Sequence, residues 1–315
     1  MEKSENHYDV IVIGAGAAGL TAGIYLSRAR LKTLILEQNT VGGQMVLTHE
    51  IANYPGVESI SGYGLSSIMK KQALSFGCKI KSGYGIQEMQ LEETVKSLVL
   101  TNGEQYTTDA VILASGGRSR TIGALNEDQF KGSGISYCAT CDGDFFTDKE
   151  IIVVGGGNSA LEEAVPLTKY ASKVTIVHQF DHFQAFDYYV EEAKNHPKIN
   201  FIMESTIQAY HGTEKLESVE LKNLKTGDVT IMPIDGVFVF VGYIPNTEFL
   251  KDQKVKLNGR QEIVVDSTMQ TNIPGIFSAG DANEKKYRQV SIAVGEGTIA
   301  ALSASQYVHQ LNKKL

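Results

Sequence analysis

Two of the three cysteines in this 315-residue chain, Cys138 and Cys141, stand two residues apart in the run Ser136-Tyr137-Cys138-Ala139-Thr140-Cys141-Asp142-Gly143. A C-x-x-C spacing lets both sulfurs close a small disulfide ring, and a partly ionised thiol released from that ring can attack a partner disulfide. Thiol exchange is the chemistry this segment offers. A zinc centre would need four ligands, and no second Cys or His pair stands near to complete the set, so no metal is expected. Cys78, in Ser75-Phe76-Gly77-Cys78, has nothing around it that reads as a second thiol site and is expected to pack in the core. Three cysteines are too few for a structural disulfide framework and suit a reducing compartment.

The elements that must position the pair are organised as an internal repeat. Asp9-Val10-Ile11-Val12-Ile13 reads as a strand that opens into Gly14-Ala15-Gly16-Ala17-Ala18-Gly19. An apolar helix pattern follows through Leu20, Ala22, Ile24 and Leu26, then a second strand, Thr33-Leu34-Ile35-Leu36, ending at Glu37. The same order returns at Ile151-Ile152-Val153-Val154, Gly155-Gly156-Gly157-Asn158-Ser159-Ala160, a helix through Leu161, Ala164 and Leu167, and the strand Val174-Thr175-Ile176-Val177. Gly14 and Gly155, Gly16 and Gly157, and Glu37 and His178 are each 141 residues apart. A lone glycine motif is weak, whereas a glycine turn set between strand and helix twice, in phase, indicates two dinucleotide folds.

In the first fold, Gly14 permits the tight turn, Gly16 admits a pyrophosphate close to the backbone, and Gly19 lets the helix pack on the strand. Glu37, 23 residues after Gly14, is placed to accept hydrogen bonds from an adenosine ribose. In the second fold Ala160 replaces the third glycine, and Asn158-Ser159 are expected to cap the helix. The strand in Thr271–Asp281 has no obvious place in the second fold, and the helix pattern from Val290 to Val308 needs a sheet to cover. The fold class expected is therefore α/β, with two three-layer Rossmann-like dinucleotide-binding domains, the second inserted into the first. Residues 1–116 and 249–315 are expected to form one discontinuous dinucleotide-binding domain, and residues 117–248 the inserted second one, which carries the C-x-x-C pair.

Composition narrows the partners. With 29 basic against 36 acidic side chains the formal charge is -7, which gives no electrostatic ground for nucleic acid or an anionic membrane. The opening stretch Met1–Asp9 lacks an apolar signal core, and no apolar run approaches the roughly 20 residues that span a bilayer. A cytoplasmic protein is expected.

The motifs together resemble the low-molecular-weight, bacterial-type thioredoxin reductases over essentially the whole chain. The likeness is carried by Gly14–Gly19, Val41-Gly42-Gly43-Gln44, Ile51-Ala52-Asn53-Tyr54-Pro55-Gly56, Cys138–Gly143, Gly155–Ala160 with Glu162-Glu163, and Gly280-Asp281 followed by Lys286-Tyr287-Arg288-Gln289. The resemblance implies an FAD-dependent thioredoxin-disulfide reductase, a homodimer, with thioredoxin as partner. FAD would be held by Gly14, Ala15, Gly16, Gly19, Glu37 and Gln38, with Gly42, Gly43, Gln44 and Asn53 lining the flavin region. Asp281 would contact the ribityl or pyrophosphate part, or merely cap the next helix; Arg288, Gln289 and Val290 would lie near the flavin ring. The resemblance further implies that Cys138 attacks the partner disulfide and Cys141 communicates with the flavin. Asp142 would assist proton transfer on the Cys141 side, unless it is only a loop carboxylate.

The electron donor is where the chain departs from that pattern. NADPH-using members resemble H-R-R-x-x-x-R after the second strand of the inserted fold, the arginines receiving the 2'-phosphate. Here the stretch is His178-Gln179-Phe180-Asp181-His182-Phe183-Gln184, with no Lys or Arg before Lys194. His178 also replaces the ribose carboxylate, leaving Asp181 as a possible substitute. The aromatic run Phe180, Phe183, Phe186, Tyr188 and Tyr189 reads as core packing, as an occupant of the nucleotide groove, or as a protein contact. Some proteins that resemble these reductases take electrons from reduced ferredoxin. Ferredoxin is the expected donor on this reading, and NADH- or weakly NADPH-dependent reduction is the alternative.

Overall fold

The computed structural model describes residues 5–48 and 50–314. Residues 1–4 of the opening stretch, on which the signal-peptide reading rested, lie outside the described residues. Along the chain the elements are β1 (His7–Ile13), α1 (Ala17–Arg28), β2 (Thr33–Glu37), α2 (Gly62–Ser75), β3 (Lys79–Ser82), β4 (Ile86–Gln90), β5 (Lys96–Leu100) and β6 (Gln105–Leu113). Then follow β7 (Gly117–Ser119), β8 (Ile135–Ser136), α3 (Ala139–Asp142), β9 (Glu150–Val154), α4 (Asn158–Leu167), β10 (Lys173–Val177), α5 (Asp187–Lys194) and β11 (Ile199–Ile202). The chain closes with β12 (Ser205–Gly212), β13 (Leu216–Asn223), β14 (Val229–Pro233), β15 (Gly236–Val239), β16 (Tyr243–Pro245), β17 (Ile276–Ser278) and α6 (Val290–Lys314).

The chain divides into two compact units, Met1–Arg118 with Ile244–Leu315, and Ser119–Tyr243. Both crossings fall in short strands, β7 and β16, which pair with each other as a two-stranded ribbon. The division falls between Tyr243 and Ile244, within β16.

The first unit is built on a seven-stranded sheet ordered β3-β2-β1-β6-β5-β4, with β17 added to β6. The run HYDVIVI is buried almost throughout, as a central parallel strand covered on both faces must be. Its side chains alternate: Val10 and Val12 meet helices α1 and α6 on one face, while Ile11 and Ile13 pack with Leu34, Leu36 and Val111 on the other. Each such side chain, buried completely, contributes roughly 1.5–3 kcal/mol. The late strand Ile276–Ser278 completes this sheet by running parallel to Val111–Leu113. That places Gly280-Asp281 beside the first glycine turn, at the carboxyl ends of the parallel strands, where ligands of such sheets bind.

The second unit repeats the plan with a five-stranded parallel sheet, β11-β10-β9-β15-β8, and a three-stranded antiparallel sheet, β12-β13-β14. The two folds are Rossmann-like α/β units, as their periodicity implied. Among the described residues no helix is long and apolar enough to cross a membrane.

Candidate functional site

In the first unit the residues singled out for a nucleotide converge. Gly14 has φ +105°, and a Cβ there would stand 2.2 Å from the Ala114 carbonyl oxygen, so only glycine fits. A Cβ on Gly19 would meet the Gly14 oxygen at 1.9 Å, which fixes how closely α1 approaches the strand. Gly16 differs from both. Its missing side chain is required by no protein atom, the nearest being the Gly43 Cα at 4.0 Å. It is also the N-cap of α1, with no side chain capping the helix. An uncapped helix start with open space at its glycine is a cradle for a phosphate group, and this is the observation on which the cofactor fit rests.

Around the cradle, Glu37 accepts from Ala15 N and Asn39 N, each at 2.8 Å, which turns its carboxylate toward the turn. Gln38 follows it, exposed, with its side chain beside Gly85. The Gly42-Gly43 turn closes the opposite wall, Gly42 N donating to the Ala15 oxygen at 2.8 Å, and exposed Gln44 continues from it. Asn53 and Gln289, 236 residues apart in sequence, meet at 3.4 Å. Arg288 bonds Glu262, and Val290 begins α6. Asp281 is held above the usual carboxylate range by burial, opposed by the nearby charges of Lys285 and Arg288. Two partners were missed by sequence reasoning. Glu296 accepts from Gly280 N at 2.8 Å and binds Lys285, fixing the Gly-Asp turn, and Glu262 holds Arg288. Both lie outside the motifs, and no local pattern announces them.

The second unit carries the sulfur chemistry. Cys138 and Cys141 form a disulfide with a Cα separation of 5.3 Å, Cys138 at the N-cap of the one-turn helix α3 and Cys141 within it. Ser136, also missed, organises the loop. Its hydroxyl donates to Asp142 Oδ2 at 2.5 Å and accepts from Cys138 N at 3.1 Å, joining the carboxyl to the backbone of the first cysteine. Burial raises the Asp142 pKa and the Ser136 bond partly lowers it. A carboxyl so placed is a better proton acceptor than an exposed one. Cys78 lies in the core of the first unit, its thiol pushed up to about 11 by burial.

The second glycine turn keeps the shape of the first. Gly155 has φ +137°, with the Phe240 oxygen and the Ala160 Cβ where its own Cβ would be. Its surroundings differ, because the chain after β10 folds back across it. Gln184 N donates to the Gly156 oxygen at 2.8 Å, and Gly157 pairs with Gln184 as a parallel bridge. Asn158 does not cap α4. The N-cap is Gly157, and the Asn158 side chain instead accepts from Phe186 N at 2.8 Å. The buried His178 ring fills the space above Gly156, where a Cβ would stand 2.4 Å from it, and Phe183 stacks on that ring at 5.8 Å. Of the aromatic run, Phe183 and Tyr189 pack on the core, whereas Phe180, Phe186 and Tyr188 are exposed. Asp181 is paired with His182 at 2.7 Å, and that bond first, with the Lys225 charge among the smaller causes, holds its carboxyl below the usual range.

Comparison with known proteins places this geometry. Residues 8–297 match the family described as pyridine nucleotide-disulphide oxidoreductase. The chain is 43% identical over 316 residues to the thioredoxin reductase of Listeria monocytogenes, covering 100% of this chain and 98% of that one. It is 42% identical over 306 residues to the 34.2 kDa protein in rubredoxin operon of Clostridium pasteurianum, covering 97% and 99%. The crystal structure of thioredoxin reductase from Streptococcus pyogenes superposes with a TM-score of 0.92 at 37% identity, covering 99% of this chain and 100% of that chain.

Proposed function

The chain belongs to the pyridine nucleotide-disulphide oxidoreductase family and, within it, to the low-molecular-weight thioredoxin reductases, and from that premise we propose that it is an FAD-dependent thioredoxin-disulfide reductase. The observation that carries the reading is the Cys138–Cys141 disulfide, with Asp142 tied by Ser136 to the same loop, on a unit separate from the phosphate cradle.

The discontinuous unit is the FAD-binding domain. Gly14, Ala15, Gly16 and Gly19 would hold the pyrophosphate at the start of α1, and Glu37 and Gln38 the adenosine. Gly42, Gly43, Gln44 and Asn53, with Arg288, Gln289 and Val290, would line the flavin region, and Asp281 would contact the ribityl or pyrophosphate part. FAD when bound supplies the electron pair that opens the disulfide. Cys138 Sγ, its thiol proton passing to the thioredoxin sulfur that leaves, then bonds the other sulfur of the thioredoxin disulfide as the thioredoxin S–S bond breaks, giving a mixed disulfide. Asp142 takes the Cys141 proton. Cys141 Sγ bonds Cys138 Sγ, and the thioredoxin sulfur leaves with that proton, so the Cys138–Cys141 disulfide is restored and thioredoxin departs as a dithiol. The exposed apolar side chains Tyr25, Ile299 and Leu302 on α1 and α6 support a homodimer assembled through this unit.

The matched family and relatives support NADH or NADPH as donor, bound at Gly155–Ala160. One observation favours reduced ferredoxin as a second reading: the segment Phe180–Phe186 lies hydrogen-bonded across that turn and carries no Lys or Arg of its own. The test is a spectroscopic reduction series with NADH, NADPH and reduced ferredoxin on the FAD-loaded protein, with thioredoxin thiols counted alongside. Bleaching and turnover at micromolar NADPH eliminates the ferredoxin reading. Bleaching by ferredoxin alone eliminates the nicotinamide one. Absence of thioredoxin thiols with every donor, or release undiminished when Cys138 or Cys141 is replaced by serine, rejects the reductase assignment.

A further inference from the structure

Glu127 is only 4% exposed, and burying a carboxylate is costly unless donors fill its lone pairs. Four donors do so here: Gly123 N at 2.8 Å, Ile122 N at 3.2 Å, Ala124 N at 3.3 Å and the Tyr137 hydroxyl at 2.9 Å. What these donors connect gives the arrangement its meaning. Residues 122–124 follow directly on the first crossing, where Arg120 N donates to the Gly242 oxygen at 2.9 Å. Tyr137 immediately precedes Cys138, and its ring is packed on the core beneath the three-stranded sheet. One buried acceptor thus binds the chain entering the inserted unit to the chain carrying the redox sulfur. The apolar cluster around it, with Phe130, Ile135 and Val219, would close as well over a hydrocarbon as over a carboxylate. Burial first, then the Glu127 bond, hold the phenol far above its ordinary range, so it remains a donor at any working pH.

We propose that Tyr137 and Glu127 are positioning residues for thiol exchange: their hydrogen bond sets where the Cys138 backbone stands, and so keeps its sulfur within reach of Cys141 in one state and of a partner disulfide in the other. This rests on the reading of Cys138 as the attacking thiol. Loosening the anchor lowers the effective concentration of the two sulfurs toward each other, which disfavours the closed ring and slows attack alike.

The test is Tyr137→Phe in the FAD-loaded full chain, which deletes one hydroxyl and keeps the ring. Two measurements are made: the equilibrium of the cysteine pair against a glutathione redox buffer with thioredoxin absent, and kcat and KM for thioredoxin. The expected results are a shift of about three- to tenfold toward the dithiol and a kcat lowered by about the same factor, with KM within about twofold and the flavin spectrum unchanged. Glu127→Gln shifts both in the same direction, and adding Tyr137→Phe to it changes neither further. If Glu127→Gln does not fold, Tyr137→Phe decides alone. An unmoved glutathione equilibrium with unmoved kcat overturns the inference, even where the melting temperature falls, because that pattern is a purely structural role. A wild-type protein that fails to reduce thioredoxin, with Tyr137→Phe still shifting the glutathione equilibrium, overturns the substrate and leaves the positioning role standing.

Discussion

Ser136→Ala tests how the redox loop tunes its own proton carrier. The substitution removes a hydroxyl that meets Asp142 at 2.5 Å and receives Cys138 N at 3.1 Å. Burial raises the Asp142 pKa and the serine works against it, so deleting the serine moves the carboxyl further up. A hydrogen bond to a charged acceptor contributes about 1.5–3 kcal/mol, which at 1.36 kcal/mol per unit corresponds to about one to two pH units. Asp142 must be ionised to take the Cys141 proton, so the acid limb of kcat moves toward higher pH by that interval while the plateau above it is kept. The stability effect has a defined sign. A carboxyl whose folded pKa lies above its unfolded value contributes stability at low pH that is lost as pH rises through the folded value. Widening that gap makes the variant's deficit against the parent larger by about 1.5–3 kcal/mol at neutral pH than in acid, where Asp142 is protonated in both and the lost Cys138 N–H bond remains the difference. The assays are a pH series of thioredoxin reduction and urea unfolding at neutral and acid pH. An acid limb that stays in place, with equal stabilities at neutral pH, refutes the reasoning.

Asp142→Asn keeps the shape and the Ser136 contact but removes the proton acceptor, so thioredoxin turnover should fall by about 10²–10⁴-fold with flavin binding intact, measured by steady-state rate and absorbance. Gly14→Ala forces a side chain into the Ala114 carbonyl at a φ of +105°, and the purified variant should be colourless or should melt far below the parent. Cys78, buried with its thiol pushed up to about 11, should resist iodoacetamide at pH 8 in the folded, reduced protein, while Cys138 and Cys141 both label. Mass spectrometry before and after unfolding counts the modified residues.

The sequence was most informative where chemistry is written in adjacent residues. The glycine turns, the strands on either side of them and the C-x-x-C pair are local, and the constant spacing of Gly14 to Gly155 and Glu37 to His178 announced the duplication before any contact was known. The late strand Ile276–Ser278 was legible by elimination, since the second fold had no place for it and the first sheet did. Legibility ended where a tertiary partner decides a side chain's role. Asn158 has the right type for a helix cap, yet a strap 28 residues away takes its carbonyl oxygen, so capping propensity was overridden by a contact invisible in the local run. Ser136 stood at the head of the cysteine run with no role of its own until the fold brought Asp142 back over it. Glu262 and Glu296 stand in no motif, and only the folded chain delivers them to Arg288 and to the Gly280 amide. The aromatic run stayed ambiguous because its members divide, Phe183 facing inward onto His178 and Phe186 standing 69% exposed.

The most direct measurement loads the protein with FAD, reduces it anaerobically by one electron pair, adds oxidised thioredoxin and counts thiols. Two new thiols on thioredoxin per electron pair are expected, with Cys141→Ser instead accumulating a thioredoxin adduct on Cys138. Thioredoxin left fully oxidised beside a reduced flavin, or reduced equally well by a chain lacking both sulfurs, contradicts the account.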